Sequence, residues 1–185
     1  MDRSKLGKRS RLKGKQQERL LGHLLGKWWF NDERALRPRA LSGGWNASSA
    51  GDLVVDDTIA DPNKFPFFVE SKHDKSMLVN GAILAILHGD LGKLKSLWWD
   101  THTKAQAVNK IALLSIKGDR TPTYIFMMRG TFDYIFGISG APHKTEYCEI
   151  RTMINTHLFN IVIMRLEDFI LLSPSKEDCH DGSMG

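Results

Sequence analysis

The chain has 185 residues, of which 42% are hydrophobic and 25% charged, and this composition excludes wholesale disorder. The absence of an apolar run of about 18 residues argues against a membrane-spanning helix, and the basic N-terminus lacks the apolar core of a secretory signal. Cys148 and Cys179 match neither a disulfide framework nor a zinc pattern, so a reducing cytoplasm is the expected location.

The net charge of +5 is unevenly distributed along the chain. Residues 1–39 carry twelve Lys or Arg against four Asp or Glu, whereas the remainder carries fourteen against seventeen. Basic blocks of this kind often contact polyanions, but they also occur as solubilising or targeting tails. Charge alone leaves these two interpretations about equal.

The N-terminal third predicts a helix followed by a loop. Residues 1–8 have the composition of a flexible basic start, and apolar spacing predicts a helix from near Lys15 to just before Trp29. Glu18 lies at the edge of the apolar stripe, where it can face inward. Residues 37–52 are rich in Gly, Ser, Asn and Ala and predict a loop. The stripe consists of Leu20, Leu21, Leu24, Leu25 and Trp28.

Short strands and helices are predicted for the rest of the chain. The β-branched stretch 52–60 and the aromatic stretch 65–72 predict two strands separated by a turn. A helix is expected over 97–110, and a closing helix over 166–172. Further strands are predicted at 111–117, 121–129, 131–138, 146–155 and 160–165.

This order of elements predicts an α/β fold with a mixed central β-sheet flanked by helices. The predicted division of the chain is a basic flexible arm at 1–12, a single domain at 13–172 and a polar tail at 173–185.

The strand at 65–72 ends in a group of residues that can carry chemistry. Alternation places Glu70 and Lys72 on one face, and Asp52 joins them if its strand lies alongside. Asp52, Glu70 and the backbone carbonyl of Ser71 are oxygen ligands that suit Mg²⁺. Lys72 can hold or deprotonate an attacking water and stabilise negative charge on a phosphate. Together these groups predict phosphodiester hydrolysis.

These residues also resemble a known family. Asp52 followed by Glu70-Ser71-Lys72 resembles the D-(x)n-(D/E)-x-K signature of PD-(D/E)xK nucleases, although Gly51 stands where that signature often has Pro. Three further segments resemble archaeal-type Holliday junction resolvases and small phage-encoded endonucleases. These segments are KGKQQERLL (13–21), SGGWNASSAGDLV (42–54) and AQAVNKIALLSIK (105–117).

The resemblance covers roughly residues 11–130 and implies a restriction-endonuclease-like core of order αβββαβ, over about residues 13–130. It implies that Glu18, Asp52 and Glu70 are acidic site residues and that Lys72 is the catalytic lysine. The DNA contacts expected from the basic arm, the site and the resemblance are Arg11, Lys13, Lys15, Arg19, Ser48, Ser49, His73 and Gln106.

The predicted function is a Mg²⁺-dependent, structure-specific DNA endonuclease, most like a Holliday junction resolvase, with Mn²⁺ able to substitute. Because branched DNA is symmetric and two matched cuts need two sites, a homodimer is expected, acting in the host cytoplasm if phage-encoded. Two alternatives stay open. One is a related nuclease for a flap, a nick or duplex DNA, and the other is a non-catalytic DNA-binding module with the same fold.

Less specific interpretations apply to the same residues. Glu70 and Lys72 by themselves could form an exposed ion pair at a strand end, which contributes little to stability. The tryptophan pairs Trp28-Trp29 and Trp98-Trp99 could stack on unpaired bases, but packing in the core is the expected role.

Overall fold

A computed structural model describes residues 3–39, 51–73, 92–119, 121–137 and 147–174, with side chains from residue 12 onward. In these ranges no helix is long and apolar enough to cross a membrane.

Helices and strands alternate along the chain. In order they are α1 (Arg3–Phe30), β1 (Leu36–Pro38), β2 (Leu53–Val55), a 3₁₀ turn (Pro62–Lys64), β3 (Phe67–His73), α2 (Gly92–Ala107), β4 (Ile111–Lys117), β5 (Thr123–Met128), α3 (Arg129–Phe136), β6 (Tyr147–Ile154), β7 (His157–Arg165) and α4 (Leu166–Phe169).

The central sheet has five strands in the order β3-β4-β5-β7-β6. β3 and β4 are parallel, and the other neighbours are antiparallel. β1 and β2 form a separate antiparallel pair. The α/β class with a mixed sheet and flanking helices is therefore confirmed, and α1, β1 to β3, α2 and β4 follow the order αβββαβ.

The sheet separates two hydrophobic cores because successive side chains on a strand point to opposite faces. Phe67 and Val69 of β3 belong to the core that packs against α1, α3 and α4. Phe68 belongs to the core on the α2 side, where Trp98 is fully buried. Trp29 is also buried, so the expected core role of these two tryptophans is confirmed.

Helix α1 packs closely on the β1–β2 pair through small residues. A Cβ atom at Gly22 would lie 3.0 Å from the carbonyl oxygen of Leu36, and one at Gly26 would lie 2.8 Å from that of Asp32. Leu21 and Leu25 on the same helix are fully buried. The helix is thus fixed in position along its C-terminal half.

The predicted start of this helix near Lys15 is wrong, because α1 begins at Arg3 and runs for 28 residues through Phe30. The stretch before Lys15 contains no proline and is rich in Lys, Arg and Leu, which favour helix. The helix thus passes through the predicted boundary at residue 12. The division into arm, domain and tail stays a prediction, and residues 175–185 lie outside the described residues.

Two further predictions are corrected by the structure. The stretch 131–138 was predicted as a strand, but residues up to Phe136 belong to helix α3, with Phe132 and Ile135 buried at helical spacing. The pattern of a short apolar run does not by itself distinguish a helix from a strand. The predicted loop at 37–52 also contains the end of β1.

A two-residue loop, Asn155-Thr156, joins β6 to β7, and both residues have positive φ angles, of 45° and 71°. Asn tolerates this conformation, whereas a β-branched residue such as Thr is strained in it.

We therefore expect Thr156→Gly to stabilise the protein by about 0.5–1 kcal/mol, since the strain relieved exceeds the entropic cost of glycine. Thermal unfolding followed by circular dichroism measures this change. Asn155→Gly is the matched control and should change stability less. An unchanged or lower melting temperature for Thr156→Gly would contradict the assignment of strain to this residue.

Candidate active site

The candidate site lies at the edge of β3 that faces away from β4, where the segment before β2 approaches it. Gly51 forms an isolated parallel bridge with Val69, and the amide of Asp52 donates a hydrogen bond to the Val69 carbonyl oxygen at 2.7 Å. The sequence left open whether the two predicted strands pair as a hairpin or as neighbours. In the structure they form neither a hairpin nor a ladder, and the backbone contact between them is this short parallel bridge.

Gly51 is required by the closeness of this contact. Its φ is +81°, and an added Cβ would lie 2.2 Å from the Val69 carbonyl oxygen, well inside van der Waals contact. Glycine therefore stands directly before Asp52 because only glycine lets the backbone approach β3 at this point.

The carboxylate of Asp52 is held by the backbone of β3. The amide of Ser71 donates a hydrogen bond to Asp52 Oδ2 at 2.8 Å. The amide and the carbonyl of one residue point to the same side of a strand, so the Ser71 carbonyl also faces this edge. The three predicted oxygen donors, on Asp52, Glu70 and Ser71, therefore belong to one region of β3.

Glu70 lies beside two lysines on the α2 face of the sheet. Its side chain is buried, with 8% of the residue exposed. The Lys72 ammonium donates a hydrogen bond to Glu70 Oε1, and Lys104 Nζ on α2 lies 3.9 Å from the same oxygen. The pair is thus partly buried, with the carboxylate enclosed and the lysine 38% exposed, and a second lysine lies beside it, which separates it from an ordinary surface ion pair.

Glu18 of α1 completes the group. Burial raises the pKa of this partly buried carboxyl, and the charges of Asp52 and Glu70 raise it further, against the opposing effect of Lys15 and Lys72. An effect of this kind requires that the groups lie near one another. Contacts at β3 bring Asp52, Glu70 and Lys72 together, and Glu18 lies within range of their charges. These four residues are hereafter called the β3-edge site.

Burial and neighbouring charges shift the pKa values of Asp52 and Lys72. Burial raises the pKa of Asp52, and the charge of Glu70 adds to this, although the Ser71 amide, Lys72 and Lys104 oppose it. For Lys72, burial lowers the pKa, but the hydrogen bond to Glu70 and the nearby carboxylates outweigh burial, so its pKa is raised. Lys72 is therefore a cation at neutral pH.

A divalent cation fits this donor set. Among the described residues no group of three or more His, Cys, Asp or Glu side chains is arranged to hold a metal ion by itself. Mg²⁺ does not require such a group, since it is usually bound by one or two carboxylates together with waters and substrate phosphate oxygens. Asp52 and Glu70 supply two carboxylates, and the raised pKa of Asp52 reflects burial first and repulsion by Glu70 second, both of which a bound cation would offset.

Four of the predicted DNA contacts lie around the site. Lys13 and His73 both approach the carboxylate of Asp119 in the β4–β5 turn, with Lys13 Nζ at 2.9 Å and His73 Nε2 at 3.4 Å from Oδ1. Lys15 and Arg19 are exposed on α1. The three side chains on α1 are therefore open to solvent, whereas that of His73 is only 12% exposed.

The other predicted contacts are placed differently or not described. Ser48 and Ser49 lie outside the described residues, as does the side chain of Arg11. Gln106 is exposed on α2, and two residues along a helix correspond to about 200°, so it faces away from the side on which Lys104 approaches Glu70.

Two residues of the site region were missed by sequence reasoning. Lys104 is the α2 residue whose amine comes near Glu70. Gln17, on the turn of α1 next to Glu18, is buried and donates a hydrogen bond from Nε2 to Thr123 Oγ1 at 3.1 Å. A buried glutamine beside an acidic residue on an amphipathic helix was the available signal for Gln17. For Lys104 the sequence predicts a place on a helix, and this place alone does not mark it as a site residue.

Comparison with known proteins gives one match. The family described as "Phage putative PDDEXK endonuclease" matches residues 9–178. No curated protein matches the chain, and no solved structure does. The matched range includes all four residues of the β3-edge site.

Gly51→Ala tests the close backbone contact that positions Asp52. We expect it to destabilise the protein by at least about 2 kcal/mol, because the added methyl group meets the Val69 carbonyl and the positive φ becomes unfavourable. Thermal unfolding measures the change.

Gly14→Ala on α1 is the matched control, because a Cβ atom there meets nothing within 4 Å. It should leave stability unchanged or raise it, since alanine favours helix. Equal melting temperatures for Gly51→Ala and the unmodified protein would show that the Gly51–Val69 contact does not form as described.

Proposed function

Because the chain belongs to the phage PDDEXK endonuclease family, we propose that it is a divalent-metal-dependent DNA endonuclease whose catalytic residues are Glu18, Asp52, Glu70 and Lys72. The predicted membership of the PD-(D/E)xK superfamily is confirmed by this match. Family membership supports a nuclease, while the metal, the substrate and the residue roles are our proposals.

One observation carries the assignment of the site. The Ser71 amide holds the carboxylate of Asp52 on the same strand that carries Glu70 and Lys72. Residues far apart in sequence thus meet at a strand edge with two acids and one amine, which are the group types that the family signature requires. A non-catalytic DNA-binding protein gives no reason to hold two acids and a lysine together, partly buried and with shifted pKa values.

Mg²⁺ is the proposed ion, and Asp52, Glu70 and the Ser71 carbonyl are the groups that would hold it. When bound, such an ion acts as a Lewis acid on phosphoryl oxygens and generates a nucleophile from water at neutral pH. Mn²⁺ prefers the same oxygen ligands and would substitute.

The raised pKa of Lys72 supports the first of its two predicted roles, holding the water, over deprotonating it. Because Lys72 carries its proton at Nζ, it is suited to hold a water or a phosphate oxygen by hydrogen bonding and to balance negative charge. Deprotonating water would require the neutral amine. Glu18 is the better candidate for the proton acceptor, because its pKa is raised above that of a free carboxylate.

DNA would approach from the side of α1. Seven Lys or Arg residues and no acidic residue occupy residues 3–15, at the end of the helix where the dipole already disfavours positive charge. A phosphate backbone would relieve this repulsion. Contacts of this kind do not read sequence and weaken steeply with salt.

Branched DNA is the proposed substrate, on the strength of the resemblance of the α1 and Asp52 segments to junction resolvases. A homodimer would place two sites on a symmetric junction. A flap, a nick or duplex DNA remains the second candidate, because substrate shape is read by surfaces outside the four site residues. The cytoplasm remains the predicted location.

The central test is cleavage of a four-way junction, a flap and plain duplex by the purified protein with Mg²⁺ or EDTA. We expect junction cleavage with Mg²⁺ and none with EDTA. Lys72→Ala should lower the rate by at least about 100-fold, in the range found when a charge-stabilising group is removed. Equal cleavage of the three DNAs would remove the junction proposal and leave the nuclease proposal standing, whereas cleavage by Lys72→Ala at the unmodified rate would refute the site.

Lys104→Ala and Gln106→Ala form a matched pair on one helix. Since Lys104 approaches Glu70 and Gln106 faces away from it, we expect Lys104→Ala to lower the cleavage rate roughly tenfold and Gln106→Ala to leave it unchanged. Single-turnover kinetics measures both. A larger loss with Gln106→Ala than with Lys104→Ala would show that the sequence-based choice of Gln106 was the better one.

Asp52→Asn tests the site without an activity measurement. A carboxyl whose pKa is raised by folding destabilises the fold once pH exceeds its unfolded pKa, so at pH 7 the ionised Asp52 costs stability. Asparagine keeps an oxygen for the Ser71 amide and removes the charge. We therefore expect a higher melting temperature without metal.

The same variant should show a smaller rise of melting temperature on adding Mg²⁺ than the unmodified protein, because ligand binding stabilises only a site that binds it. The stability gain should disappear below about pH 4, where the Asp52 carboxyl of the unmodified protein is protonated in both the folded and the unfolded state. Equal Mg²⁺ responses in the two proteins would place the ion elsewhere.

A further inference from the structure

The outer strand of the sheet presents an edge that another strand could join. β6 is the last strand in the order β3-β4-β5-β7-β6, and no strand in the described part of the chain pairs with its outer side. Its burial alternates along its length, so one face packs on the core and the other is exposed. Long edges of this kind are sites of pairing between chains.

The hairpin geometry determines which backbone groups point outward. Since only two residues join β6 to β7, Ile154 and His157 form a hydrogen-bonded pair, and the pairs alternate from there. The amides and carbonyls on the odd-numbered residues of β6 therefore face the open edge. These residues are Tyr147, Glu149, Arg151 and Met153.

We propose that β6 pairs in an antiparallel manner with β6 of a second copy of this chain, centred on Ile150. This register places Glu149 opposite Arg151 of the second copy, and by symmetry the same pair forms again. It also places Tyr147 opposite Met153. The outward-facing backbone groups of the two strands then form about eight hydrogen bonds between the two copies.

The charge pattern selects this register over its neighbours. Only registers that oppose odd-numbered residues satisfy the outward backbone groups. The Glu149 carboxylate also forms an ion pair with Arg129 of its own chain. Centring the pairing on Glu149 nevertheless opposes two carboxylates, and centring it on Arg151 opposes two guanidinium groups, and like charges directly opposite are destabilising. The register centred on Ile150 opposes acid to base at both positions.

The exposed apolar side chains of this edge fit the same arrangement. Met153 and Leu158 are neighbours across the β6–β7 hairpin, and 54% and 55% of them are exposed. In the proposed pairing the ring of Tyr147 from the second copy lies beside Met153, a favourable contact of sulfur with an aromatic ring. Tyr147 itself is 38% exposed in the single chain.

The pairing leaves the β3-edge site open. β3 and β6 are the two outer strands of the sheet, about 19 Å apart at the usual strand spacing. The inference rests on β6 alone and not on the nuclease proposal. It would supply the homodimer which that proposal expects.

Sedimentation velocity from about 1 to 100 µM tests the pairing. We expect the unmodified chain to dimerise. Arg151→Glu should raise the dissociation constant roughly 10- to 100-fold, because it places a carboxylate opposite Glu149 at both symmetry-related positions. Arg151→Lys should remain dimeric. Arg165→Glu, an exposed arginine on β7, is the control for the change of charge and should also remain dimeric.

Hydrogen exchange gives a second measurement at the residues themselves. The amides of Glu149 and Arg151 should be protected in the dimer and exchange rapidly in folded Arg151→Glu. A chain that stays monomeric across the concentration range would overturn the proposal. A dimer that Arg151→Glu leaves unchanged, or one in which these amides are unprotected, would overturn it as well.

Discussion

The candidate site depends on the contact between the Gly51-Asp52 segment and β3. The Val69 carbonyl accepts the amide of Asp52, and the Ser71 amide donates to the Asp52 carboxylate, so backbone and side chain are both fixed by one strand. The absence of a Cβ at Gly51 makes this approach possible. Without it, Asp52 would not stand beside Glu70, and β3 would carry only an ion pair.

The electrostatics follow from this geometry. Burial and mutual repulsion raise the pKa of Asp52 and of Glu18, whereas the same carboxylates raise the pKa of Lys72. The ionised forms of Asp52 and Glu18 are therefore less stable in the fold than in water, whereas the charged form of Lys72 is stabilised. Such an arrangement is costly for folding and useful for binding a cation and a phosphate.

Part of the fold and site could be predicted from the sequence, because it depends on local periodicity. Alternation along β3 placed Glu70 and Lys72 on one face, and helical spacing placed Glu18 toward the core. The approach of Lys104 to Glu70 could not be predicted, because it depends on how α2 packs across the sheet. Helix α3 was mistaken for a strand, since its eight residues are too few for the apolar period to decide.

Strand β6 also combines a feature that local periodicity predicts with one that only the fold reveals. Its alternating pattern predicted a strand, but neither its place at the edge of the sheet nor the direction of its backbone groups could be read before the pairing of β6 with β7 was known. The role of this strand as a pairing surface is therefore a consequence of topology and not of any motif.

The central claim is that Asp52 and Glu70 form one metal-binding site at the edge of β3. Its most direct test is anomalous diffraction from crystals of the protein soaked in Mn²⁺. The account predicts an anomalous peak bound by the carboxylates of both Asp52 and Glu70, and no such peak in Asp52→Asn crystals. A peak bound elsewhere, or one that persists at this position in Asp52→Asn, would contradict it.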